Sequence, residues 1–423
     1  MLDLRSIRED PQPARDALAR RGAADRLDEL LRLDERRREI LPELEEGRAR
    51  RNRVSEEIAQ LKREGKDADQ PIAEMRDLGG TLKEREAELA EVEAKRDELL
   101  ATLPNLPDPE APDGETEEDA VTIREVGERP EFDFEVRDHL DLGTAHGWIE
   151  MEKAGEASGS RFAYLMGDLV VIEMALIRIV LDLLREEGMT PVIPPVLVRE
   201  GPLFGTGFFP GEREMIYEVP RDDLFLVGTS EVSLAALHAG EIMAADVLPR
   251  RYAGYSTCFR REAGAAGRDT RGIFRVHQFD KVEMYSFVEP ADSHAEHERL
   301  LAIQERILQM LEIPYRVVDI PTGDLGAPAA RKFDCEAWIP SQERYREVTS
   351  CSNTTDYQAR RLDCRYRPEP EAQPIPVHTL NGTALAVSRT LIALIENGQQ
   401  ADGSVRLPAS LVEAGLPEVI GAA

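Results

Sequence analysis

The segment CFRREAGAAGRDTRGIFRVHQFDKVEMYSF, Cys258 to Phe287, has the sequence pattern of a strand, a loop and a returning strand. Arg260 and Glu262 lie two positions apart on the first strand, which predicts that both side chains face the same side of a sheet. Small residues from Gly264 to Gly267 predict a mobile connection that carries Arg268. The segment therefore predicts a β-hairpin that presents charged side chains on one face.

The returning strand continues this polar face. Arginine side chains suit phosphate groups, aromatic rings suit purine bases and carboxylates suit amino groups. A nucleotide site on this face is one interpretation, and a salt-bridged hairpin that faces solvent is the other. The side chains that alternate onto the face are Arg275, His277, Phe279, Lys281 and Glu283.

The sequence around the hairpin, residues 130–423, mixes strand-like and helix-like stretches. An apolar helix is predicted near Asp168 to Glu187, and an extended segment that contains Pro195 follows it. A later helix, LAVSRTLIALIENG, is predicted to end at Gly398 as its C-cap. This mixture predicts an α+β fold, an antiparallel sheet with flanking helices.

Residues 27–103 have a different composition: they lack aromatic residues and are rich in Glu, Arg, Leu and Ala. Two runs with apolar residues at alternating spacings of three and four predict coiled-coil seams. The turn GKDADQP, Gly65 to Pro71, separates the runs and predicts an antiparallel helical hairpin, each helix about 50 Å long. Basic residues also fall on the seams: Arg37, Arg51, Arg85 and Arg96.

These features divide the chain into three parts. Residues 1–103 form an N-terminal domain that includes the coiled-coil arm. Residues 104–129 are rich in Pro, Asp and Glu, which is typical of a linker, and residues 130–423 form the α+β core.

The net charge is strongly acidic, with 53 Lys and Arg against 82 Asp and Glu and a formal charge of -29. Such a balance by itself disfavours a nucleic acid partner. The segment from Gly47 to Lys66 is an exception, because it holds seven basic and three acidic residues. This patch is suited to phosphate binding, and a solvated helix face is the alternative.

Several classes of protein are disfavoured by what the sequence lacks. It has no apolar run of about 18 residues and no signal-peptide pattern at its start, so we expect a cytoplasmic protein without a membrane partner. The four cysteines form no CxxC pair, which predicts reduced thiols and no zinc. A GxxxxGK[ST] loop is absent, so a P-loop ATPase is disfavoured.

The Cys258–Phe287 segment resembles motif 2 of class II aminoacyl-tRNA synthetases, in the form FRxEAG…RDTRGxxRxHQF that is typical of the seryl-tRNA synthetase family. Pro195 is similar to the motif 1 proline of the dimer interface, and the hairpin at 27–103 is similar to the family's tRNA-binding arm. The resemblance covers nearly the whole chain. Further matching segments are TSE (Thr229–Glu231), EVTSCSNTTDYQARR (Glu347–Arg361) and, for motif 3, HTLNGTALAVSRTLIALIENGQQADGS (His378–Ser404).

The resemblance implies a serine–tRNA ligase that uses ATP and Mg²⁺ to convert L-serine to seryl-adenylate. The seryl group would pass to the 3′-terminal adenosine of tRNA(Ser), with tRNA(Sec) as a further acceptor. A homodimer is also implied. The alternatives are a seryl-adenylating paralogue that serves a carrier protein or antibiotic pathway, and a catalytically inactive tRNA-binding protein.

The same resemblance assigns roles to individual residues. Arg260 and Arg389 would be catalytic, with Arg260 on the α-phosphate and Arg389 opposite Phe279 across the adenine. Ala384 and Ser388 stand where many members of the family carry glycine. The ATP-binding set is Arg260, Arg261, Glu262, Arg275, Val276, Phe279, Glu347, Val348, Thr349, Ser350 and Arg389, of which Glu347 and Ser350 would hold Mg²⁺. The serine-binding set is Thr229, Ser230, Glu231, Arg260, Glu283, Asn381 and Thr383. The tRNA-binding set is Arg48, Arg50, Arg51, Arg53, Lys62 and Arg63.

Overall fold

The structure of the chain, a computed structural model, describes residues 1–263, 267 and 269–422. Of the predicted mobile connection, Gly264–Ala266 and Arg268 lie outside the described residues, so that feature stays a prediction. The chain divides into two compact units, Leu2–Leu103 and Met1 with Pro104–Ala423.

The elements of the two units are numbered along the chain. The first unit contains α1 (Leu4–Glu9), α2 (Pro11–Ala19), α3 (Ala24–Arg63) and α4 (Asp69–Thr102). The helices of the second unit are α5 (His139–Ala145), α6 (Glu152–Ser158), α7 (Asp168–Glu186), α8 (Glu200–Thr206), α9 (Glu231–Ala236), α10 (Ser293–Met310), α11 (Tyr357–Leu362), α12 (Val387–Gly398) and α13 (Ala409–Glu413). Its strands are β1 (Val121–Val126), β2 (Ile149–Glu150), β3 (Tyr164–Leu165), β4 (Thr190–Val192), β5 (Leu197–Val198), β6 (Tyr217–Val219), β7 (Leu224–Leu226), β8 (Ile242–Ala244), β9 (Arg250–Phe259), β10 (Gln278–Val288), β11 (Tyr315–Asp319), β12 (Arg331–Ile339), β13 (Arg344–Thr355), β14 (Arg365–Arg367), β15 (Ile375–Pro376), β16 (His378–Ala386), β17 (Val405–Arg406) and β18 (Val419–Ile420).

Helices α3 and α4 form the predicted hairpin. They contain 40 and 34 residues, which corresponds to lengths of about 60 Å and about 51 Å. Ile40 and Leu44 of α3 pack against Leu82 of α4 in a buried cluster. A Cβ atom at Gly47 would lie 2.7 Å from a Leu82 methyl carbon, so this point of the seam accommodates only glycine without a shift. The coiled-coil prediction is therefore confirmed.

Two details of the predicted hairpin are wrong. The spacing predicts Arg51 on the seam, but its side chain is exposed. The turn is shorter than Gly65 to Pro71, because α4 already begins at Asp69. Pro71 lies in the first turn of α4, where a helix tolerates proline because the missing N–H has no intrahelical acceptor.

The second unit is built on an eight-stranded sheet, counted among the described residues, with the order β1-β11-β12-β13-β16-β10-β9-β4. Neighbouring strands are antiparallel except β4, which pairs with β9 in parallel. Val282 and Met284 of β10 face a core that α7, α10 and α12 contribute to. The α+β prediction is confirmed. The residues of β10 that alternate with Val282 and Met284 face the opposite side of the sheet.

Residues 104–129, predicted as a linker, are an ordered part of the second unit. Val121–Val126 pairs with Tyr315–Asp319 as an edge strand of the main sheet. The side-chain amide of Asn105 donates hydrogen bonds to the carbonyl oxygens of Pro328 and Thr354, both at 2.9 Å. The Pro- and Glu-rich composition is typical of a linker. In the structure, however, the backbone groups of β1 pair with those of β11, which would otherwise be the edge of the sheet.

The predicted C-cap role of Gly398 is also wrong. Gly398 is the last residue of α12, and Gln399 follows it as the cap. A Cβ atom at position 398 would lie 2.3 Å from the Arg406 carbonyl oxygen, so the glycine permits a close approach of backbone.

Two further findings concern the whole described chain. Its four cysteines are buried free thiols, as predicted. None of the helices in the described residues has the length and apolar character needed to cross a bilayer.

Candidate active site

A cleft with about 760 Å³ of empty space is formed by the β9–β10 hairpin, β13, β16 and the starts of α9 and α12. The structure thereby brings together residues that are far apart in sequence. The predicted site residues that line the cleft are Thr229, Glu231, Arg260, Glu262, Arg275, Val276, Phe279, Glu283, Glu347, Val348, Ser350, Asn381, Thr383 and Arg389.

Three of the predicted ATP- and serine-binding residues do not line the cleft. Arg261 is exposed, and its backbone N–H donates to the Met215 carbonyl at 2.9 Å. Ser230 is fully buried, and its hydroxyl donates to the Gly254 carbonyl at 3.2 Å. Thr349 is buried beneath the sheet surface. Each is the chain neighbour of a cleft residue. Thr349 lies on β13, where consecutive side chains point to opposite sides, whereas Ser230 is the N-cap of α9 and Arg261 lies in the connection after β9.

A β-bulge in β13 decides which of its side chains reach the cleft. Cys335 pairs with Thr349 and the next residue, Glu336, pairs with Glu347, so Val348 is the extra residue. Regular alternation would place Glu347 on the same side as Thr349, away from the cleft. The bulge shifts that alternation by one position, so Glu347 joins Ser350 on the cleft side.

A second bulge lies in β16. Val282 pairs with Leu385 and Glu283 pairs with Thr383, which leaves Ala384 as the extra residue. Leu385 consequently faces the core, while Thr383 lines the cleft. Neither Ala384 nor Ser388 has a positive φ angle, so the backbone at these two positions does not require the glycine that is common in the family.

The predicted hairpin is present, but its strands are shorter than expected. Strand β9 ends at Phe259 and β10 begins at Gln278. Arg260 and Glu262 therefore reach the cleft from the connection, not through strand alternation. Glu262 has a φ of 52°, in the left-handed region, and its carboxylate accepts a 2.6 Å hydrogen bond from Arg275. A strained backbone at a cleft residue is a common feature of functional sites.

One half of the cleft carries guanidinium groups and aromatic rings. The Arg260 guanidinium carbon lies 5.4 Å from the centre of the Phe279 ring, and its Nε donates to the Gly228 carbonyl at 3.1 Å. Arg389 lies 4.9 Å from the centre of the Phe274 ring. Planar guanidinium groups beside aromatic faces suit a purine nucleotide, because they offer both stacking and phosphate binding.

Glu347 is the ionised carboxylate of this half. Burial alone would raise the pKa of its carboxyl group, but the positive charges of Arg389, Lys332 and Arg260 outweigh that effect and lower the pKa to about 2. Its carboxylate lies 3.3 Å from Arg389. The Ser350 hydroxyl, on the same side of β13, makes no hydrogen bond with a described residue. An ionised carboxylate and a free hydroxyl are oxygen ligands of the kind that suits Mg²⁺ when phosphates complete its shell.

The other half of the cleft carries carboxylates and hydroxyls. Glu231 accepts hydrogen bonds from the amides of Gln358 at 2.7 Å and Asn381 at 3.0 Å. Burial, and then the neighbouring Glu283, raise the pKa of the Glu231 carboxyl to about 7. This half therefore has two closely spaced carboxyl groups in a desolvated setting, which favours a cationic ligand such as an ammonium group.

Lys281 is a cleft residue without a predicted role. The residue is 5% exposed. Its ammonium group forms an ion pair with Glu283 and donates a hydrogen bond to the Thr229 hydroxyl at 2.8 Å. The alternation of Lys281 with Phe279 and Glu283 is the sequence signal that identifies it. Other lining residues without a predicted role are Phe208, Phe274, Ala386 and Ser388.

The basic patch of the arm is partly neutralised by α4. Arg48 pairs with Glu86 at 2.9 Å and Arg50 pairs with Glu74 at 2.6 Å. From Gly47 to Asp77, which includes both helices, eight basic residues face seven acidic ones. Among the predicted tRNA-binding residues, Arg51, Arg53 and Lys62 are exposed and make no ion pair with a described residue, while Arg63 donates to the Ala59 carbonyl at 3.2 Å.

Comparisons with known proteins identify both units. The model of the seryl-tRNA synthetase N-terminal domain matches residues 1–107, and that of the tRNA synthetase class II core domain (G, H, P, S and T) matches residues 216–398. A serine–tRNA ligase of Acidothermus cellulolyticus is 50% identical over 412 residues, which cover 97% of each chain.

Solved structures show the same relationship. Seryl-tRNA synthetase from Pyrococcus horikoshii complexed with ATP matches with a TM-score of 0.91 and 42% identity over 99% of each chain. Cytoplasmic serine–tRNA ligase from Naegleria fowleri in complex with AMP matches with a TM-score of 0.84 and 33% identity, and covers 97% of this chain and 95% of its own. The similarity extends over the arm as well as the cleft.

Proposed function

This chain belongs to the seryl-tRNA synthetase family, and on that premise we propose how its cleft activates L-serine with ATP and transfers it to tRNA. The observation that carries the proposal is that a guanidinium and aromatic half adjoins a carboxylate and hydroxyl half within one cleft. The first half fits ATP and the second fits serine. The enzyme works in the cytoplasm on tRNA(Ser), and tRNA(Sec) is a second acceptor.

In the first step, the serine carboxylate attacks the α-phosphorus of ATP. A phosphorus–oxygen bond forms to serine, the bond to the β-phosphate oxygen breaks, and pyrophosphate leaves with the electron pair. Arg260 binds the α-phosphate and stabilises the charge that develops on it. Phe279 and Arg389 hold the adenine, and Glu262 contacts its amino group. No general base is required, since the attacking carboxylate is already ionised.

The serine half orients the amino acid for this attack. Glu231 and Glu283 bind the ammonium and hydroxyl groups, while Lys281 keeps the Thr229 hydroxyl in place through its 2.8 Å hydrogen bond. Alanine is rejected because it would leave these buried polar groups without partners.

Glu347 and Ser350 would hold Mg²⁺, which supplies charge neutralisation for the phosphates when bound. Arg389, now 3.3 Å from the Glu347 carboxylate, is close enough to exchange that partner for a phosphate oxygen. The remaining predicted ATP contacts that line the cleft are Arg275, Val276 and Val348.

In the second step, a ribose hydroxyl of the 3′-terminal adenosine attacks the seryl carbonyl carbon, and the hydroxyl proton is released to water. The ester bond forms, the bond to the phosphate oxygen breaks, and AMP leaves. The arm holds the tRNA through the exposed basic residues of α3, chiefly Arg51, Arg53 and Lys62. The carrier-protein alternative is not favoured, because the ligase from Acidothermus cellulolyticus matches 97% of this chain.

We expect ATP–pyrophosphate exchange that requires serine and Mg²⁺. The rate with serine should exceed the rate with alanine by at least about 100-fold. A site that hydrogen-bonds a substrate hydroxyl strongly disfavours an analogue that lacks this group. Isotope exchange into ATP, with each of the twenty amino acids and with EDTA as the metal control, measures both requirements. Exchange driven by another amino acid and not by serine would refute the proposed function.

We also expect a homodimer, formed in part by the exposed apolar face of α7 and its surroundings. Val171 is 58% exposed, Met174 52% and Ile193 84%, and exposed apolar side chains grouped in this way favour an interface. Val171→Glu should raise the dimer dissociation constant by at least about tenfold, because it buries a charge.

Light scattering at micromolar concentration measures the molar mass and therefore the fraction of dimer. The matched control is Val121→Glu, which alters another exposed valine, on the edge strand β1, and should leave the dimer intact. A parent protein that is monomeric and fully active would contradict the prediction.

A further inference from the structure

Helix α5 begins with a buried histidine that contacts the connection between β9 and β10. His139 is 4% exposed. The backbone N–H of Ile273 donates a hydrogen bond to Nε2 of the ring at 3.2 Å. Nε2 is therefore the acceptor, so the ring proton lies on Nδ1, which donates to the Glu396 carboxylate at 2.9 Å.

Glu396 of α12 fixes the orientation of this ring. Its side chain is fully buried, and the same carboxylate accepts the backbone N–H groups of His139 at 3.0 Å and Ser341 at 3.1 Å. Glu396 lies seven residues after Arg389, about two turns along the helix. The helix that carries the Arg389 guanidinium to the cleft therefore also holds the histidine.

The segment Ile273–His277, which follows this contact, forms part of the nucleotide half of the cleft. It does not belong to a strand, so its position depends on individual hydrogen bonds. At its far end, the Arg161 carbonyl accepts the His277 N–H at 3.0 Å, and the Arg161 guanidinium donates to the Arg275 carbonyl at 3.2 Å. At its near end, the acceptor is His139. The members of the segment that line the cleft are Phe274, Arg275 and Val276.

Two further contacts hold the connection against α5. Gly272 has a φ of 73°, and a Cβ atom there would lie 2.0 Å from Nε2 of His139, so only glycine permits this close approach. On the surface, Arg271 forms ion pairs with Asp138 and Asp141, both at 2.6 Å. Three consecutive residues of the connection therefore contact the beginning of α5.

We propose that His139 is a positioning residue for ATP, because its acceptance of the Ile273 N–H sets the place of Phe274 and Arg275 in the nucleotide half. The inference rests on the proposed function and deepens its first step. His139 does not line the cleft, so it acts on the nucleotide only through the segment that it holds.

Two contacts connect this segment to the groups assigned to ATP. The Phe274 ring centre lies 4.9 Å from the Arg389 guanidinium carbon, and Arg275 donates to the Glu262 carboxylate at 2.6 Å. The carboxylates assigned to serine lie on α9 and β10, outside the segment. Loss of the histidine contact should therefore weaken ATP binding and spare serine binding.

His139→Asn tests the proposal by removing the acceptor and keeping the donor. The amide nitrogen of asparagine takes the position of Nδ1 and still donates to Glu396, but no side-chain atom reaches the Ile273 N–H. We expect the KM for ATP in pyrophosphate exchange to rise by about tenfold, because ATP must restore a segment that has lost a buried hydrogen bond. The KM for serine should stay within about twofold of the parent.

His139→Gln is the conservative variant that should restore ATP binding. Its carboxamide oxygen takes the position of Nε2 and accepts the Ile273 N–H, while the donor to Glu396 is lost. Both variants lose one of the two ring hydrogen bonds, so urea unfolding should show similar losses of stability. The KM for ATP, by contrast, should stay within about threefold of the parent in His139→Gln.

His146→Asn is the matched control for a histidine that only stabilises the fold. His146 follows α5, does not line the cleft, and donates from Nε2 to the Gly403 carbonyl at 2.8 Å. This variant should lower stability and leave both KM values within about twofold of the parent. If the His139 variants fail to fold, Gly272→Ala tests the same contact, because its methyl carbon would push the connection away from Nε2 and raise the KM for ATP.

Two outcomes would overturn the proposal. Equal KM values for ATP in His139→Asn and His139→Gln would show that the Ile273 hydrogen bond does not position the ATP-binding groups. An equal rise in the KM for serine and the KM for ATP would assign His139 to the stability of the whole fold. The proposed function fails separately, since its test is serine-dependent exchange by the parent protein.

Discussion

Replacing Arg260 with alanine is expected to slow seryl-adenylate formation by at least about 100-fold while the protein remains folded. The guanidinium group of Arg260 lies in the guanidinium and aromatic half of the cleft, 5.4 Å from the centre of the Phe279 ring. Removing one preorganised contact to the charge of a transition state costs about 3 kcal/mol. Pyrophosphate exchange under saturating ATP and serine measures the loss, and circular dichroism confirms the fold.

Arg261→Ala is the matched control for this experiment. The two arginines are neighbours in sequence, but Arg261 is exposed and does not line the cleft. Its removal should leave exchange within about threefold of the parent, in the range of an ordinary surface substitution. Similar losses in the two variants would mean that general positive charge matters, and the assignment of Arg260 to the α-phosphate would be wrong.

Removing the outer part of the arm is expected to lower tRNA charging by at least about 100-fold and to leave seryl-adenylate formation within about twofold of the parent. Deleting residues 38–91 and joining the ends with a short Gly-Ser linker removes the buried cluster of Ile40, Leu44 and Leu82 as a whole, so no half of it is left exposed. The Arg37–Glu93 ion pair, at 2.7 Å, remains to hold the two stumps together. Charging and pyrophosphate exchange are measured on the same preparation.

A pair of charge variants separates the basic residues of the arm from its shape. Arg51→Gln with Arg53→Gln removes cations that have no carboxylate partner among the described residues, whereas Arg48→Gln with Arg50→Gln removes cations already paired with Glu86 and Glu74. The first double variant should flatten the salt dependence of tRNA binding more, by up to about 0.9 in log–log slope per lost contact and by less on RNA. Unchanged charging by the armless protein would refute the arm as the tRNA-binding element.

The amino-acid sequence by itself determined the two local patterns from which the fold is built. Alternating three- and four-residue spacing predicted the helical hairpin, because helix periodicity places such residues on one stripe. The two-residue alternation of Phe279, Lys281 and Glu283 predicted their common face on β10, because a strand places every second side chain on the same side. Motif resemblance then named most residues of the cleft, although their roles stay predictions until tested.

Tertiary structure decided the features that depend on pairing between distant segments. Glu347 reaches the cleft only because Val348 is bulged against β12, and the bulge is a property of the strand pair. Arg48 and Arg50 form ion pairs with carboxylates of α4, and a count of the charges on α3 alone does not include these partners. The segment 104–129 has the composition of a linker, yet its strand β1 pairs with β11 at the edge of the sheet. Local periodicity fixes which side a residue faces within its own element, but register, bulges and ion pairs are fixed by the partner strand or helix, and the partner is known only once the chain is folded.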